Sequence, residues 1–426
     1  MEQVSGLRFE QYLQENLFGP LGMTSSTFAQ LLRPDLGARR LRECVCKGET
    51  YVAAPTVYAQ MAAAGGMHAS ATDMARYLIA MAGDGSCDGQ RILKAETVRA
   101  MHQRRFAPHP AMPGITYGFF EEWRGARRVL RRDGDSAAAW SRIYLLPEEE
   151  LGLFFTVAGD EEARLLLADA FFERFFPTEA PTAAPTSAPN LRQYEGTYRY
   201  LQHNRDSFTK LQSLLVGQVR VKAQPNGTLT VTALNAGDVY GGFEGTTTWA
   251  PAGEHFFRRQ GGNGQIAFDG KGHLYSSLRY QGAFQRLRWW ETAPVHMALF
   301  GMGLLASLGA LCFLFVGGGV AGLVTGLYGL LAMAFCMLLV PALFLIGNVG
   351  GGFPAYGFGI NRWIRGTLTL PFLTAPLTAA LVAATLAAWS NGLWSPGLRL
   401  LHSAITLAAI VLVWWQRYYN LLGYRW

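Results

Sequence analysis

In the stretch VLRRDGDSAAAWSRIYLLPEEELGLFF, residues 129–155, Arg132, Asp133 and Gly134 stand just before an alternating apolar run that carries Ile143 and Leu145. Pro147 to Glu150 then turn the chain into a second apolar run. The segment reads as two antiparallel strands joined by a short acidic turn. An arginine at the mouth of such a strand stays cationic and can attract a carboxylate, but it cannot serve as a general base. The plainer reading makes Arg132 a solvated turn residue. Other chemistry is thinly represented. There is no G-x-S-x-G, no H-E-x-x-H and no glycine-rich phosphate loop. His102 and His109 lie seven apart with no third ligand nearby, which suits surface histidines. Cys44 and Cys46 form a C-x-C, Cys87 stands alone, and Cys312 and Cys336 fall in apolar runs. These are read as incidental thiols, and neither a metal nor a cofactor is expected.

Four regions must position these residues. Residues 1–176 are mixed in composition: a helix end, a break at Gly6, a new helix from Phe9 to Phe18, and at the far end an amphipathic helix, EEARLLLADAFFERFFP. A chain that starts in mid-element looks cut, and the opening residues lack the basic and apolar regions of a signal peptide. Residues 177–190, with Pro177, Pro181, Pro185 and Pro189 in a Thr/Ala/Ser background, read as an extended linker. Residues 191–291 look all-β, with hairpins expected at Asn226-Gly227 and Asp269-Gly270, and a small antiparallel barrel or sandwich follows. Residues 292–426 form a hydrophobic tail in which Met297 to Asn361 contains no Asp, Glu, Lys or Arg. Four transmembrane helices are expected at about 297–316, 321–347, 367–388 and 400–416. Gly318, Gly322 and Gly326, four apart, are positioned to let helices approach closely. The formal charge of +7 is no sign of nucleic acid, because five of the excess positive charges (Arg362, Arg365, Arg399, Arg417, Arg425) sit in that tail.

Several stretches together carry a family resemblance. QVSGLRFEQYLQENLFGPLGMTSSTF, AAAGGMHASATDMARYLIAMAGDG, YGFFEEW and RDGDSAAAWSRIYLLPEEELGLFF follow one another in order across residues 1–176. They resemble the serine β-lactamase and penicillin-binding-protein-like superfamily, on its class C side. The resemblance implies an α+β fold, here the C-terminal part of a β-lactamase/transpeptidase-like domain. It also implies acyl hydrolysis or transfer, with cell-envelope peptides, β-lactams and esters all within the family's range.

That chemistry needs a serine in S-x-x-K as nucleophile with its lysine, a tyrosine in Y-x-N for proton transfer, and a K-T-G or H-x-G strand lining the pocket. The third part falls at Arg132, Asp133 and Gly134, with arginine in first place. The first two are absent from residues 1–176. Ser207 to Lys210 matches S-x-x-K and Tyr418 to Asn420 matches Y-x-N, but in other regions and in the wrong order, both after the strand motif. Catalytic groups must meet within about 2.6–3.2 Å, so both are read as chance.

The leading expectation is therefore a membrane-anchored, β-lactamase-related serine hydrolase, inactive as this polypeptide, with the lipid bilayer as partner and an acyl or cell-envelope peptide substrate. A membrane-bound pseudoenzyme acting as a binding or regulatory module is the alternative. A transport role is disfavoured because the tail has no acid or lysine. The resemblance places the soluble domains outside the cytoplasm in an intact parent. The arginine distribution favours the reverse for this chain.

Overall fold

The computed structural model describes residues 1–54, 58, 62–136, 138–177, 190–234, 242–243, 245–278, 282–347 and 362–423, with backbone alone for 342–347. Nearly all of the linker, the 348–361 connection and Arg425 lie outside the described residues. The chain divides into two compact units, Met1–Ala184 and Pro185–Trp426.

Unit 1 begins with α1 (Glu2–Ser5), the break at Gly6, and α2 (Phe9–Leu13), which runs on as a π-helical turn to Phe18. Then come α3 (Pro34–Gly37), the hairpin β1 (Cys44–Lys47) and β2 (Thr50–Ala53), α4 (Ala71–Ala82), the short pair β3 (Ser86–Cys87) and β4 (Gln90–Arg91), and α5 (Ala95–His102). The strands β5 (Phe120–Arg124), β6 (Arg127–Asp135), β7 (Ala139–Leu146) and β8 (Leu151–Ala158) form an antiparallel sheet in chain order, followed by α6 (Glu161–Phe175). Ser70 and Asp160 start α4 and α6 by accepting hydrogen bonds from the backbone N–H groups of Asp73 and Glu162.

Alternation along β6 and β7 gives the sheet two covered faces. Leu130 and Leu145 pack with Leu78 and Met81 of α4, whereas Val129, Tyr144 and Leu146 pack with Ala168 and Phe172 of α6. The amphipathic reading of α6 holds only in part. Ala168 and Phe172 are buried, but Leu165, Leu166 and Leu167 are exposed. Three consecutive helical residues fan over about 200°, too wide an arc for one buried face.

Unit 2 opens with the eight strands of a closed antiparallel barrel: β9 (Gly196–Tyr200), β10 (Gln218–Ala223), β11 (Leu229–Ala233), β12 (Thr246–Gly253), β13 (Phe256–Arg259), β14 (Gln265–Phe268), β15 (His273–Ser276) and β16 (Gly282–Arg286). A single-turn helix, α7 (Gln212–Leu215), interrupts the run between β9 and β10. Both expected hairpins form, and Gly227 takes the positive φ (80°) that its tight turn requires. Closure comes from β16 pairing with β9, with Phe284 opposite Tyr200. Tyr198, Phe243, Trp249, Phe257 and Phe284 are fully buried and fill the interior, so the barrel is a packed core.

Four helices complete the unit: α8 (Ala293–Val316), α9 (Gly319–Gly347), α10 (Arg362–Ser390) and α11 (Pro396–Tyr418). All four are long and apolar enough to cross a membrane. They extend beyond the expected spans at their ends, α8 starting at Ala293, α9 at Gly319, α10 at Arg362 and α11 at Pro396. The glycine spacing is only partly right. Gly318 lies in the turn before α9 at φ 55°, with open space around it, while Gly322 and Gly326 do sit at the close approach of α8 and α9.

Candidate functional site

Arg132, Asp133 and Gly134 lie in β6, opposite Ile143, Arg142 and Ser141 of β7. Pleating sends their side chains to different environments. Arg132 shares the α4 face with Leu130 and is exposed, its guanidinium carbon 5.8 Å from the centre of the Phe120 ring. This is the face on which a strand could present a cation to a substrate carboxylate. Asp133 points the other way and is buried to 3% side-chain exposure. Its two oxygens accept from Arg142 Nε (2.7 Å) and Nη2 (3.0 Å), and Arg131 Nε lies 3.7 Å away. Burial opposes ionisation of this carboxyl, but the bonds from Arg142 and the charges of Arg131, Arg142 and Arg164 outweigh it and hold its pKa below the ordinary value. Gly134 lies against Ser141: a Cβ there would come within 2.5 Å of Ser141 Oγ, whose hydroxyl donates to the Gly134 carbonyl.

The charges on the α6 face extend this anchor. Arg131 bonds Glu122 at 2.7 Å, and Arg164, only 4% exposed, bonds Glu161 at 2.8 Å and also reaches Asp135. Apart from Arg164 and Glu161, three apart on α6, none of these partnerships has a local spacing that the sequence displays. Cross-strand pairing of residues nine apart, as for Asp133 and Arg142, becomes visible only once the register is known.

His102 corrects an expectation. It is buried at the end of α5, edge-on to Phe119, and burial together with the Arg128 charge lowers its pKa. Its place at the helix end, tucked against the sheet, removes it from the surface. His109 is half-buried, its Nδ1 accepting from the N–H of Ala111. Along β6, about 13 Å from Arg132 at 3.3 Å per residue, Arg128 joins Arg99, His102, Arg104 and Glu121 in lining a cleft of about 450 Å³. The Glu121 carboxylate there is held by Arg104 and Arg128.

The two matches read as chance turn out to be neighbours. Lys210 Nζ donates to the Tyr418 carbonyl at 2.7 Å and sits 3.9 Å from that ring's centre. Asn420 Nδ2 donates to the carbonyls of Arg205 (2.8 Å) and Ser207 (3.2 Å). The contacts run through backbone carbonyls. Ser207 is buried, its Oγ accepting from the N–H of Thr209 and lying 2.7 Å from the Thr209 hydroxyl. Among the described residues no hydrogen bond joins Ser207 Oγ to Lys210 Nζ. The arrangement is a helix C-cap: an ammonium satisfies a terminal carbonyl of α11 and complements its dipole. Gln218 strengthens the same junction, accepting from the N–H of Ala293 at the start of α8. The barrel is thereby fastened to one end of the helix bundle.

Comparison with known proteins decides the family of unit 1. The Beta-lactamase family model matches residues 1–174. This region belongs to the serine β-lactamase and penicillin-binding-protein-like superfamily. Putative beta-lactamase-like 1 of Homo sapiens is 29% identical over 159 residues, covering 35% of this chain and 29% of the human protein. Monacolin J acid methylbutanoyltransferase of Aspergillus terreus is 55% identical over 40 residues, 9% of this chain and 10% of that enzyme. The matches thus span well under half the length of these curated relatives. Among solved structures, SurE aligns at 20% identity with a TM-score of 0.45, over 67% of this chain and 64% of that one. A class C β-lactamase from Rhodobacter sphaeroides aligns at 18% identity with a TM-score of 0.33, over 41% and 56%. The family assignment rests on the sequence match. Within this superfamily domain, residues 1–174 contain neither S-x-x-K nor Y-x-N.

Proposed function

We propose that this chain is a membrane-anchored β-lactamase-related serine hydrolase or acyltransferase region, and that the polypeptide as it stands does not complete an acyl-enzyme cycle. The observation that carries the reading is β6, which presents an exposed Arg132 on its α4 side and anchors Asp133 on the other while residues 1–174 supply no S-x-x-K serine. Arg132 is assigned to attract a substrate carboxylate and Gly134 to allow close approach at the strand. The substrate class is an acyl amide or ester, cell-envelope peptides and β-lactams included. Ser207 is excluded as nucleophile by its burial and by its bonds to Thr209. The purified full chain, incubated with a fluorescent penicillin, is expected to show no covalent labelling and no ester turnover. Stoichiometric labelling that disappears in Ser207→Ala would overturn this assignment.

A second reading, a binding or regulatory pseudoenzyme, is favoured by arginine at position 132, which cannot move a proton in catalysis. An in-frame S-x-x-K and Y-x-N in the coding sequence upstream would decide against it.

The lipid bilayer is the proposed partner of α8 to α11, whose length and apolar composition support the anchoring. Four spans return the chain to its starting side. Reporters fused before Met1 and after Trp426 are expected on the same side of the membrane, and reporters on opposite sides would refute the span count. Arg362, Arg365 and Arg417 lie toward the barrel end and Arg399 toward the other, so the positive-inside bias puts the barrel in the cytoplasm for this chain.

A further inference from the structure

His402, in the second turn of α11, is fully buried among the helices. Its Nε2 lies 2.9 Å from Thr325 Oγ of α9, and its Nδ1 lies 2.9 Å from Thr385 Oγ of α10. Each hydroxyl also donates to a carbonyl one turn back on its own helix, Thr325 to Ala321 (2.7 Å) and Thr385 to Leu381 (2.9 Å). Thr406 Oγ, one turn on from His402, is 2.8 Å from Thr385 Oγ. One imidazole therefore ties three helices together.

The proton count is informative. A hydroxyl has one proton to donate and two lone pairs to accept with. With Thr325 and Thr385 donating to their carbonyls, both ring nitrogens face lone pairs, and two ring N–H groups satisfy them at once. Only the imidazolium carries two. When the ring is neutral, Thr385 can rotate its proton onto Nδ1 and accept from Thr406, while the Leu381 carbonyl keeps its helical bond. The cluster thus satisfies both protonation states through hydroxyl rotation, with no heavy atom displaced.

The surroundings are apolar and aromatic. The rings of Trp394 and Phe313 lie 5.0 and 5.3 Å from the imidazole, and aromatic rings can offset part of a desolvated cation's cost. The titratable or charged groups on the four helices are His296 and Cys312 (α8), Tyr328 and Cys336 (α9), Arg362 and Arg365 (α10), and Arg399, Arg417 and Tyr418 (α11). Only Arg399 lies within a turn of His402 on its own helix, its guanidinium 5.3 Å from the Trp389 ring. No Asp or Glu follows Glu291 in the sequence, so no side-chain carboxylate on the four helices competes for the proton. His402 is six residues from the start of α11, about 9 Å along the axis. That end of the bundle is opposite the Lys210–Tyr418 junction with the barrel.

We propose that His402, held by Thr325, Thr385 and Thr406, is a proton-binding site of the helix bundle, loaded from the end remote from the barrel. Its assignment to one aqueous compartment rests on the reading that the four helices span a bilayer. The binding chemistry does not.

The test uses the full chain in detergent micelles with ring-¹⁵N-labelled histidine. Two-bond ¹H–¹⁵N spectra are followed from pH 8 to 4.5 beside circular dichroism. The resonances missing in His402→Gln are expected to pass from a neutral to a doubly protonated pattern while helicity is retained. The Thr325→Val, Thr385→Val double variant removes both acceptors and should lower proton affinity at least about tenfold, one pH unit. A ring that stays neutral throughout overturns the proposal, as does a titration unmoved by the double variant. So does helix loss in step with protonation, at the same pH in wild type and His402→Gln, because the proton would then enter an opened bundle. Failure of the membrane reading appears separately, in the reporter fusions, and leaves this titration unaffected.

Discussion

Asp133→Ala is expected to lower the unfolding stability of unit 1 by about 3–5 kcal/mol, the cost of leaving a buried charge without its partner. The partner is Arg142, itself 3% exposed and committed to Asp133 by two hydrogen bonds. Arg132→Ala, one residue away and itself exposed, should change stability by no more than about 0.5 kcal/mol. Denaturant-dependent proteolysis of the full chain in detergent, followed through cleavage of unit 1, measures both. The contrast separates a structural residue from one free to meet a ligand, and equal effects would refute the two-faced description of β6. Acid supplies a second check. The pKa of Asp133 is held below the ordinary value, so its contribution is complete above the unfolded carboxylate range, near pH 4, and is lost as pH falls through the folded value. The gap between wild type and Asp133→Ala should therefore close on acidification.

Local signals in the sequence carry much of this architecture. Asn226-Gly227 and Asp269-Gly270 mark hairpins because tight turns need particular backbone geometries within two residues, and both turns form. The strand pair around Pro147 and the four apolar helices are equally local. Barrel closure is not, since Tyr200 meets Phe284 across the whole domain and no short pattern encodes that pairing. The same limit hid the Asp133–Arg142 anchor. It also made the Lys210 and Tyr418 matches look unrelated when the fold brings them into contact by joining a barrel loop to a helix end. Counting only acids and lysines in the hydrophobic tail passed over His402, whose significance depends on threonines of two other helices. That Arg132, Asp133 and Gly134 adjoin strand structure was legible, but the different surroundings of their three positions were not.

Gly329→Leu is expected to disrupt the α8–α9 contact more than any other glycine-to-leucine change along the two helices. A Cβ at Gly329 would lie 2.7 Å from the Leu311 backbone nitrogen, 2.8 Å from the Ser307 carbonyl oxygen and 2.9 Å from Ala310 Cβ. Backbone atoms cannot turn aside as a flexible side chain can, so the helices must separate. Overpacking typically costs about 1–3 kcal/mol, and this site should reach or exceed the upper end. Gly326 is the intermediate case. Its added carbon would meet the Leu314 side chain, which has other rotamers available. Gly301 is the control, because a Cβ there has no neighbour within 4 Å. Leucine at 301 should be neutral or stabilising by a few tenths of a kcal/mol through its better helix propensity. Helix loss in a detergent titration should therefore rank the variants Gly301→Leu, Gly326→Leu and Gly329→Leu from most to least stable. Equal midpoints for the three would mean that α8 and α9 do not pack at the close separation their glycines allow. The graded order, by contrast, would show that Gly329, outside the four-residue glycine spacing, marks the tightest point of the pair.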